Sequence, residues 1–331
     1  MATITGTVQS EWLTGTVSKD TIYGRGGNDT AVGGLGNDVV FGETGNDTLW
    51  GKEGNDRLYG QNGNDRLHGG IGSDRLFGQD GADRLDGGGE DDELHGGSGN
   101  DYFEGGAGTD WLSGGTGDDV LYGTVQELWA FDGDNSQSDI IDGGSGNDLL
   151  VGNFGNDRLD GGTGNDTLVG WPGDDLLIGG SGNDLVEGED GHDLIRLDGG
   201  SDTVVFDGNY FGGTYSSARR ADFISPDDDL VADFTRGEDK LRAMRFTIAS
   251  DIGQSFEIRT VAFAELDSDE NGRLDGRDDY VDIEKVTLDG ATRDSLVIHA
   301  GDATGFNAPF FAGDTLTLFG ITRLTASDFT S

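Results

Sequence analysis

A nine-residue period runs through most of this 331-residue chain, and few folds can satisfy it. Cut from Gly24, the sequence reads GRGGNDTAV, GGLGNDVVF, GETGNDTLW, GKEGNDRLY and so on to GGTGDDVLY at 114–122, eleven units without a slip. A second run starts at Gly143 with GGSGNDLLV and gives seven more, to residue 205. Position 6 is aspartate in all eighteen units: Asp29, Asp38, Asp47, Asp56, Asp65, Asp74, Asp83, Asp92, Asp101, Asp110 and Asp119, then Asp148, Asp157, Asp166, Asp175, Asp184, Asp193 and Asp202. Position 8 is always apolar, from Ala31 and Val40 through Leu49 and Leu58 to Val204. Position 4 is glycine except at Glu90, and position 1 is glycine except at Leu197. Residues 6–14 and 15–23 keep the phase, with acids Glu11 and Asp20 and apolar Leu13 and Ile22, but lack the position-4 glycine. Atypical terminal repeats of this kind cap a stacked array, so 1–23 reads as a degenerate N-terminal cap. Residues 134–142 fit weakly, with Asp139 and Ile141, which leaves 123–133 as an eleven-residue insertion.

Each unit reads as a turn followed by a short strand. Glycine at positions 1, 2 and 4 tolerates positive φ. Asparagine, at position 5 in ten of the eighteen units, suits the same tight geometry. Positions 7–9 follow the pattern x-Leu-x, one side chain in and its neighbours out. A three-residue strand gains stability only by stacking on others in a parallel sheet. The coil closes every nine or every eighteen residues. Two units per turn is favoured, because it places two leucine stacks face to face across a thin core. Asp29, Asp47, Asp65 and Asp83 then stack on one edge, and Asp38, Asp56, Asp74 and Asp92 on the other. Carboxylates about 5 Å apart, near the strand spacing, repel one another. Something cationic must lie between them. Carboxylates beside crowded turn carbonyls form an all-oxygen site, and calcium suits it better than magnesium, which demands a stricter octahedron.

Composition supports cations as partners. The chain has 64 acidic and 21 basic residues, a formal charge of −43, and only 33% apolar residues. Such a chain reads as disordered unless its charge is compensated. The acidic balance excludes a phosphate-binding surface, hence nucleic acid. The absence of cysteine excludes disulfides and thiolate metal sites. No apolar stretch is long enough for a transmembrane helix.

The unit GGxGxDxLx resembles the RTX (repeats-in-toxin) calcium-binding nonapeptide, over roughly residues 6–205. The resemblance implies an all-β fold: a right-handed parallel β-roll, a calcium-stacked β-helix with two units per turn, followed by a β-rich C-terminal cap. It also implies that each Ca2+ lies between a turn and the equivalent turn two units later, held by the aspartates and glycine-loop carbonyls. Two runs of this length then hold about 14 ions, which would cut the charge to about −15. With a Kd of about 10⁻⁴ M and about 1 mM calcium, each site contributes about 1.4 kcal/mol. The sum, about 20 kcal/mol, exceeds the net stability of a typical domain, about 5–15 kcal/mol. The expectation is a chain that is disordered without calcium and folded with it.

The expected segments are 1–23, the degenerate cap; 24–122, a first β-roll block; 123–142, the insertion and a degenerate repeat; 143–205, a second block; and 206–331, the C-terminal cap. Within the last, 230–241 looks like the strand–turn–strand that follows the repeats in serralysin-type proteases. Residues 283–288, 295–299 and 314–319 read as antiparallel strands. DSDENGRLDGRD at 267–278 matches an EF-hand loop: Asp267, Asp269 and Asn271 at positions 1, 3 and 5, Gly272 at the glycine, the Arg273 carbonyl, Asp275 through water, and Asp278 last in place of the usual glutamate. The tail 314–331 resembles a type I secretion signal, and MATITGTVQS has neither a basic n-region nor an apolar h-region. Together they imply delivery to the extracellular space through a type I exporter.

Nothing in the chain points to catalysis. It has no HExxH and no GxSxG, and His68 and His95 fall at the outward position 9. Arg57, Arg66, Arg75 and Arg84 share position 7 and are expected to form one outward basic stripe, for solubility or for an acidic polysaccharide or cell-surface component. Trp129 and Phe131 in the insertion either pack back on the roll or stack on sugars. The favoured function is a non-catalytic surface, matrix or binding protein. The alternatives are a nodulation-type signalling or pore-forming protein, or an alginate-binding repeat module.

Overall fold

The structure is a computed structural model. It describes residues 1–123, 137–189 and 191–205 with their side chains, and from 206 onward the backbone of the strands. Two compact units divide it, Met1–Thr167 and Leu168–Ser331. No helix occurs among the described residues, and every repeat contributes a strand.

In the first unit, alternate strands join two parallel sheets. Sheet I contains Thr3–Thr5, Thr21–Gly26, Val39–Thr44, Arg57–Asn62, Arg75–Asp80, Glu93–Ser98, Trp111–Thr116, Ile140–Ser145 and Arg158–Thr163. Sheet II takes the intervening strands, Trp12–Thr14, Thr30–Leu35, Thr48–Glu53, Arg66–Ile71, Arg84–Gly89, Tyr102–Ala107, Val120–Tyr122 and Leu149–Val151. Each strand therefore pairs with the one two units away, and the coil closes every two units. Most strands are six residues rather than three, because pairing continues through positions 1–3 of the next unit.

Register stacks the position-8 residues. In sheet I, Ile22, Val40, Leu58, Leu76, Leu94, Leu112, Ile141 and Leu159 lie one above another. In sheet II the stack is Leu13, Ala31, Leu49, Leu67, Leu85, Phe103, Leu121 and Leu150. Except for Leu13, all of these side chains are fully buried. Positions 6 and 1 also face inward, so the inward set of each half-turn is Asp, Leu, Gly.

Positive φ falls at positions 2 and 4 but not at position 1. Position 2 even accepts side chains there, as at Arg25 (φ 78°) and Gln61 (φ 78°). Glycine at position 1 is needed for another reason. A Cβ on Gly143 would stand 2.7 Å from Asp148 Oδ2 and 2.8 Å from the Gly161 carbonyl oxygen, closer than packed atoms tolerate.

The insertion leaves the stacking undisturbed. Trp111–Thr116 pairs directly with Ile140–Ser145, and the side-chain ladder that spans 18 residues elsewhere spans 29 here, eleven more. Residues 124–136, with Trp129 and Phe131, lie outside the described residues.

In the second unit, Leu176–Ile178 pairs with Leu194–Arg196, and Leu185–Glu187 with Thr203–Gly208, again in parallel. The strands near 230–241 do not form a hairpin. Asp228–Val231 adds in parallel to Leu194–Arg196, and Lys240–Ala249 adds in parallel to Thr203–Gly208. The coil thus outlasts the repeat signature before antiparallel pairing begins. Thr315–Leu318, Ala291–His299 and Val281–Leu288 then form the expected antiparallel set, and Phe256–Val261 pairs antiparallel with Lys240–Ala249.

Because one side chain per strand fills each stack, a mid-stack truncation has no neighbour to repair it. Leu76→Ala is expected to lower the stability of the calcium-loaded protein by about 2–5 kcal/mol, measured by denaturant unfolding at fixed calcium.

Candidate metal centre

The position-6 aspartate closes the turn that starts at position 1 of its unit. All eighteen are buried, at most 4% exposed. In the first unit each carboxylate has one engaged and one bare oxygen. Oδ1 accepts a hydrogen bond from the amide of the aspartate one turn earlier. Asp29 N–H donates to Asp47 Oδ1 at 2.6 Å, Asp47 to Asp65 at 2.7 Å, and Asp65 to Asp83 at 2.7 Å. The other edge repeats this through Asp38, Asp56, Asp74 and Asp92. In the second unit, Asp175 N–H donates to Asp193 Oδ1 and Asp184 N–H to Asp202 Oδ1, both at 2.9 Å.

Oδ2 is the unsatisfied atom. At Asp29, Asp38, Asp47, Asp56, Asp65 and Asp74, and on through Asp119, Asp139 and Asp148, it is buried with no hydrogen-bond donor. A buried anionic oxygen without a partner is costly, and native proteins pair such groups with a cation or a metal. It points toward the bare Cα of position 1, where the carbonyl oxygen one turn on also converges, as at Gly24 with Asp29 Oδ2 and the Gly42 carbonyl. No three His, Cys, Asp or Glu side chains gather at one point among the described residues. A cation here would draw on backbone carbonyls as well as carboxylates, which is hard-cation chemistry. The donor set fits Ca2+. Asp56, Asp74 and Asp92, with Asn37 and Asn55, line an open groove of about 400 Å³ along one edge.

Burial sets the electrostatics. It pushes the carboxyl pKa of Asp56, Asp65, Asp83 and Asp119 up to about 7, of Asp139 to about 8 and of Asp92 to about 9. The amide hydrogen bond from the preceding turn opposes this shift, and the neighbouring aspartates add to it. Asp20, at the open end, is different. The Thr16 hydroxyl beside it is the largest influence and holds it below the usual range.

Two further buried acids in phase with the column were not among the expected ligands, and Asp139 alone of them has a bare oxygen. Asp139, in the weak repeat after the insertion, is 1% exposed, donates its N–H to Asp157 Oδ1 at 2.8 Å and has a bare Oδ2. Its phase and the buried Ile141 two residues on were the available signal. Asp20 is fully buried, and its carboxylate accepts hydrogen bonds from the Ala2 and Thr16 amides. Position 5 has its own ladder, running the opposite way: Asn46 N–H donates to Asn28 Oδ1, and Asn64 N–H to Asn46 Oδ1, both at 3.0 Å.

The four arginines do not form one stripe. With two units per turn, consecutive units face opposite ways, so Arg57 pairs with Arg75 on sheet I and Arg66 with Arg84 on sheet II. Arg75 bonds Glu93 at 2.8 Å and Arg84 bonds Glu104 at 2.7 Å. The loop carrying Asp267, Asp269, Asn271, Asp275 and Asp278 lies outside the described residues, apart from the Arg273–Leu274 backbone, which pairs with Leu324–Thr325.

Two outcomes follow. A carboxyl pKa raised in the folded state means the coil binds more protons than the unfolded chain. Its stability is then greatest below about pH 4, near the unfolded carboxyl value, and is lost as pH rises through the folded values of about 6 to 9. Chelated protein is therefore expected to have more strand at pH 5 than at pH 8 by far-UV circular dichroism, and calcium should abolish the difference. Asp139→Asn, which keeps an acceptor but removes the charge, should lower the number of bound ions as Asp65→Asn does, counted by elemental analysis after gel filtration.

The RTX calcium-binding nonapeptide repeat family matches residues 5–40, 41–76, 68–103, 77–112, 104–124, 133–168 and 169–204. No curated protein matches the chain. Among solved structures it is similar to the crystal structure of a hyperactive, Ca2+-dependent, β-helical antifreeze protein from an Antarctic bacterium. That likeness has 20% identity and a TM-score of 0.33, covers 71% of this chain and 84% of the other, and is too loose to bear on function. The family matches span more than half of the sequence, and the chain belongs to the RTX calcium-binding nonapeptide repeat family.

Proposed function

We propose that this chain is an extracellular, non-catalytic scaffold whose folding is switched on by calcium, and that it reaches its site unfolded through a type I exporter. The observation that carries the reading is the column of buried carboxylates whose Oδ2 has no donor. Calcium, when bound, would supply the positive charge that these oxygens lack, with the oxygens as its ligands. The chain supplies the rest. Position-6 aspartates present one oxygen each, position-1 glycines leave room for it, and the turn carbonyls crowd the same space. At low calcium the charge of −43 opposes compaction, and a chain in that state is suited to threading through an exporter.

In this reading the ligands are the eighteen position-6 aspartates together with Asp139, roughly 14 or more ions in the coil. The loop at 267–278 adds one more, with Asp267, Asp269, Asn271, the Arg273 carbonyl, Asp275 and Asp278 as its donors. The non-catalytic part of this reading rests on the repeats themselves, whose aspartates face inward as a structural column. On the outer face of sheet II, His68 Nδ1 lies 3.0 Å from Asp86 Oδ2 and its ring stacks on Trp50.

Calcium titration followed together by calorimetry and circular dichroism tests the proposal. The expected outcome is little strand in EDTA, a cooperative gain of strand near millimolar calcium, and uptake of roughly 14 or more ions. A strand-rich chain in EDTA at pH 8 that takes up no calcium would sink it.

A further inference from the structure

The N-terminal turn is built differently from the repeat turns that follow it. Residues 6–14 and 15–23 both open with Gly-Thr-Val and carry their acids, Glu11 and Asp20, at position 6. Their backbone lacks the left-handed residues of the interior loops. No residue before Arg25 has a positive φ, whereas positions 2 and 4 of the next units do, at Arg25 and Gly27 and again at Gly34 and Gly36. Gln9 and Ser18 can therefore stand at position 4, which is glycine in nearly every later unit. Position 1 stays glycine, because a Cβ on Gly6 would lie 2.7 Å from the Gly24 carbonyl oxygen. The steric demand of the stack survives in these two units, and the conformational demand of the loop does not.

The altered loop turns donors toward its acid. Thr16 donates its N–H to Asp20 Oδ2 at 2.6 Å and its hydroxyl to the same oxygen at 2.7 Å. That hydroxyl also accepts the Ser18 N–H at 3.3 Å, a local turn that threonine favours. The preceding unit has the same design. Thr7 N–H donates to Glu11 Oε2 at 2.5 Å, and the Thr7 hydroxyl accepts the Gln9 N–H at 3.3 Å. Asp20 Oδ1 accepts the Ala2 N–H. Fully buried Asp20 is thus satisfied on both oxygens, while every position-6 aspartate from Asp29 to Asp119 keeps a bare Oδ2. A hard cation needs convergent oxygen acceptors, and on Asp20 Oδ2 two donors stand in its place. Toward the coil the same turn keeps the ordinary ladder. Glu11 N–H donates to Asp29 Oδ1 at 2.7 Å, and Asp20 N–H to Asp38 Oδ1 at 2.6 Å.

Resting on the calcium reading of the position-6 aspartates, we infer that Thr16, with Thr7, excludes calcium from the N-terminal turn. Residues 2–23 are a metal-free end plate whose acids are held by the chain's own donors. Its two outgoing amides set the register of Asp29 and Asp38, where the ion column begins. Thr16 is then a specificity-determining residue: the side chain and backbone at position 2 decide whether a unit closes the column or extends it.

The test uses the full chain in saturating calcium. Asp20→Asn is expected to leave the number of bound ions as in the parent, counted by elemental analysis after gel filtration, whereas Asp38→Asn lowers it. Thr16→Val should speed hydrogen exchange of the 2–20 amides by about tenfold or more, with the strand Arg158–Thr163 unchanged, and Thr16→Ser should restore the parent rate. Thr16→Gly/Ser18→Gly, which rebuilds the interior loop sequence, should take up one ion more than the parent, and adding Asp20→Asn should remove that gain. Three results would overturn the assignment: loss of an ion in Asp20→Asn, exchange in Thr16→Ser as fast as in Thr16→Val, or no extra ion in the folded loop variant. The first two readouts stand even if the loop variant fails to fold at its N-terminal turn. A parent chain that binds no calcium at all would sink the calcium reading itself, and the end plate with it.

Discussion

A carboxylate turned inward every ninth residue is the constraint on which this structure depends. Asp29 through Asp148 stack beneath the turns with one oxygen hydrogen-bonded to the preceding turn and the other without a donor. The bonded oxygen makes each turn a template for its neighbour. The bare oxygen makes the stack unstable on its own, because buried like charges repel and lack solvation. A leucine column cannot offset this by itself, since most half-turns bury only one large apolar side chain. The same residues therefore fix the geometry of the coil and make it conditional on cations.

Glycine follows from that constraint. Position 1 is bare because the aspartate oxygen and a carbonyl from the next turn occupy the space of a Cβ, as at Gly24 and Gly143. Positions 2 and 4 turn the chain with positive φ, and position 2 tolerates Arg25, Glu43 or Lys52 at that cost. Position 4 gives way once, at Glu90 with φ 75°. One glycine signature thus hides two unrelated demands, steric and conformational.

Much of this could be read directly from the repeat. The leucine stacks, the two aspartate edges and the looped-out eleven residues all follow once two units make a turn. Other features depend on pairs 18 residues apart and stay hidden until that closure is fixed. The four arginines look like one stripe in the sequence and separate onto two faces in the coil. Position 9 looks variable, yet Tyr23, Phe41, Tyr59, Phe77 and His95 prove to be one column. Asp139 escaped the expected set because its unit lacks the glycines that announce the others, although its burial matches theirs. Strand length was underestimated because glycine at positions 1 and 2 looks like a turn, while the backbone there still pairs. Past residue 205 the parallel pairing survives without the sequence signature, carried by Asp228–Val231 and Lys240–Ala249.

The uninterrupted ladder across the insertion has a wider implication. Asp110 N–H reaches Asp139 Oδ1 at 2.8 Å, and Asp119 N–H reaches Asp148 Oδ1 at 2.7 Å, although eleven extra residues intervene. Register in this fold is held by contacts between turns, not by the length of chain that links them. Any corner of the coil is then a splice point where foreign sequence can be carried as cargo, and lineages can diversify there while the spine stays constant.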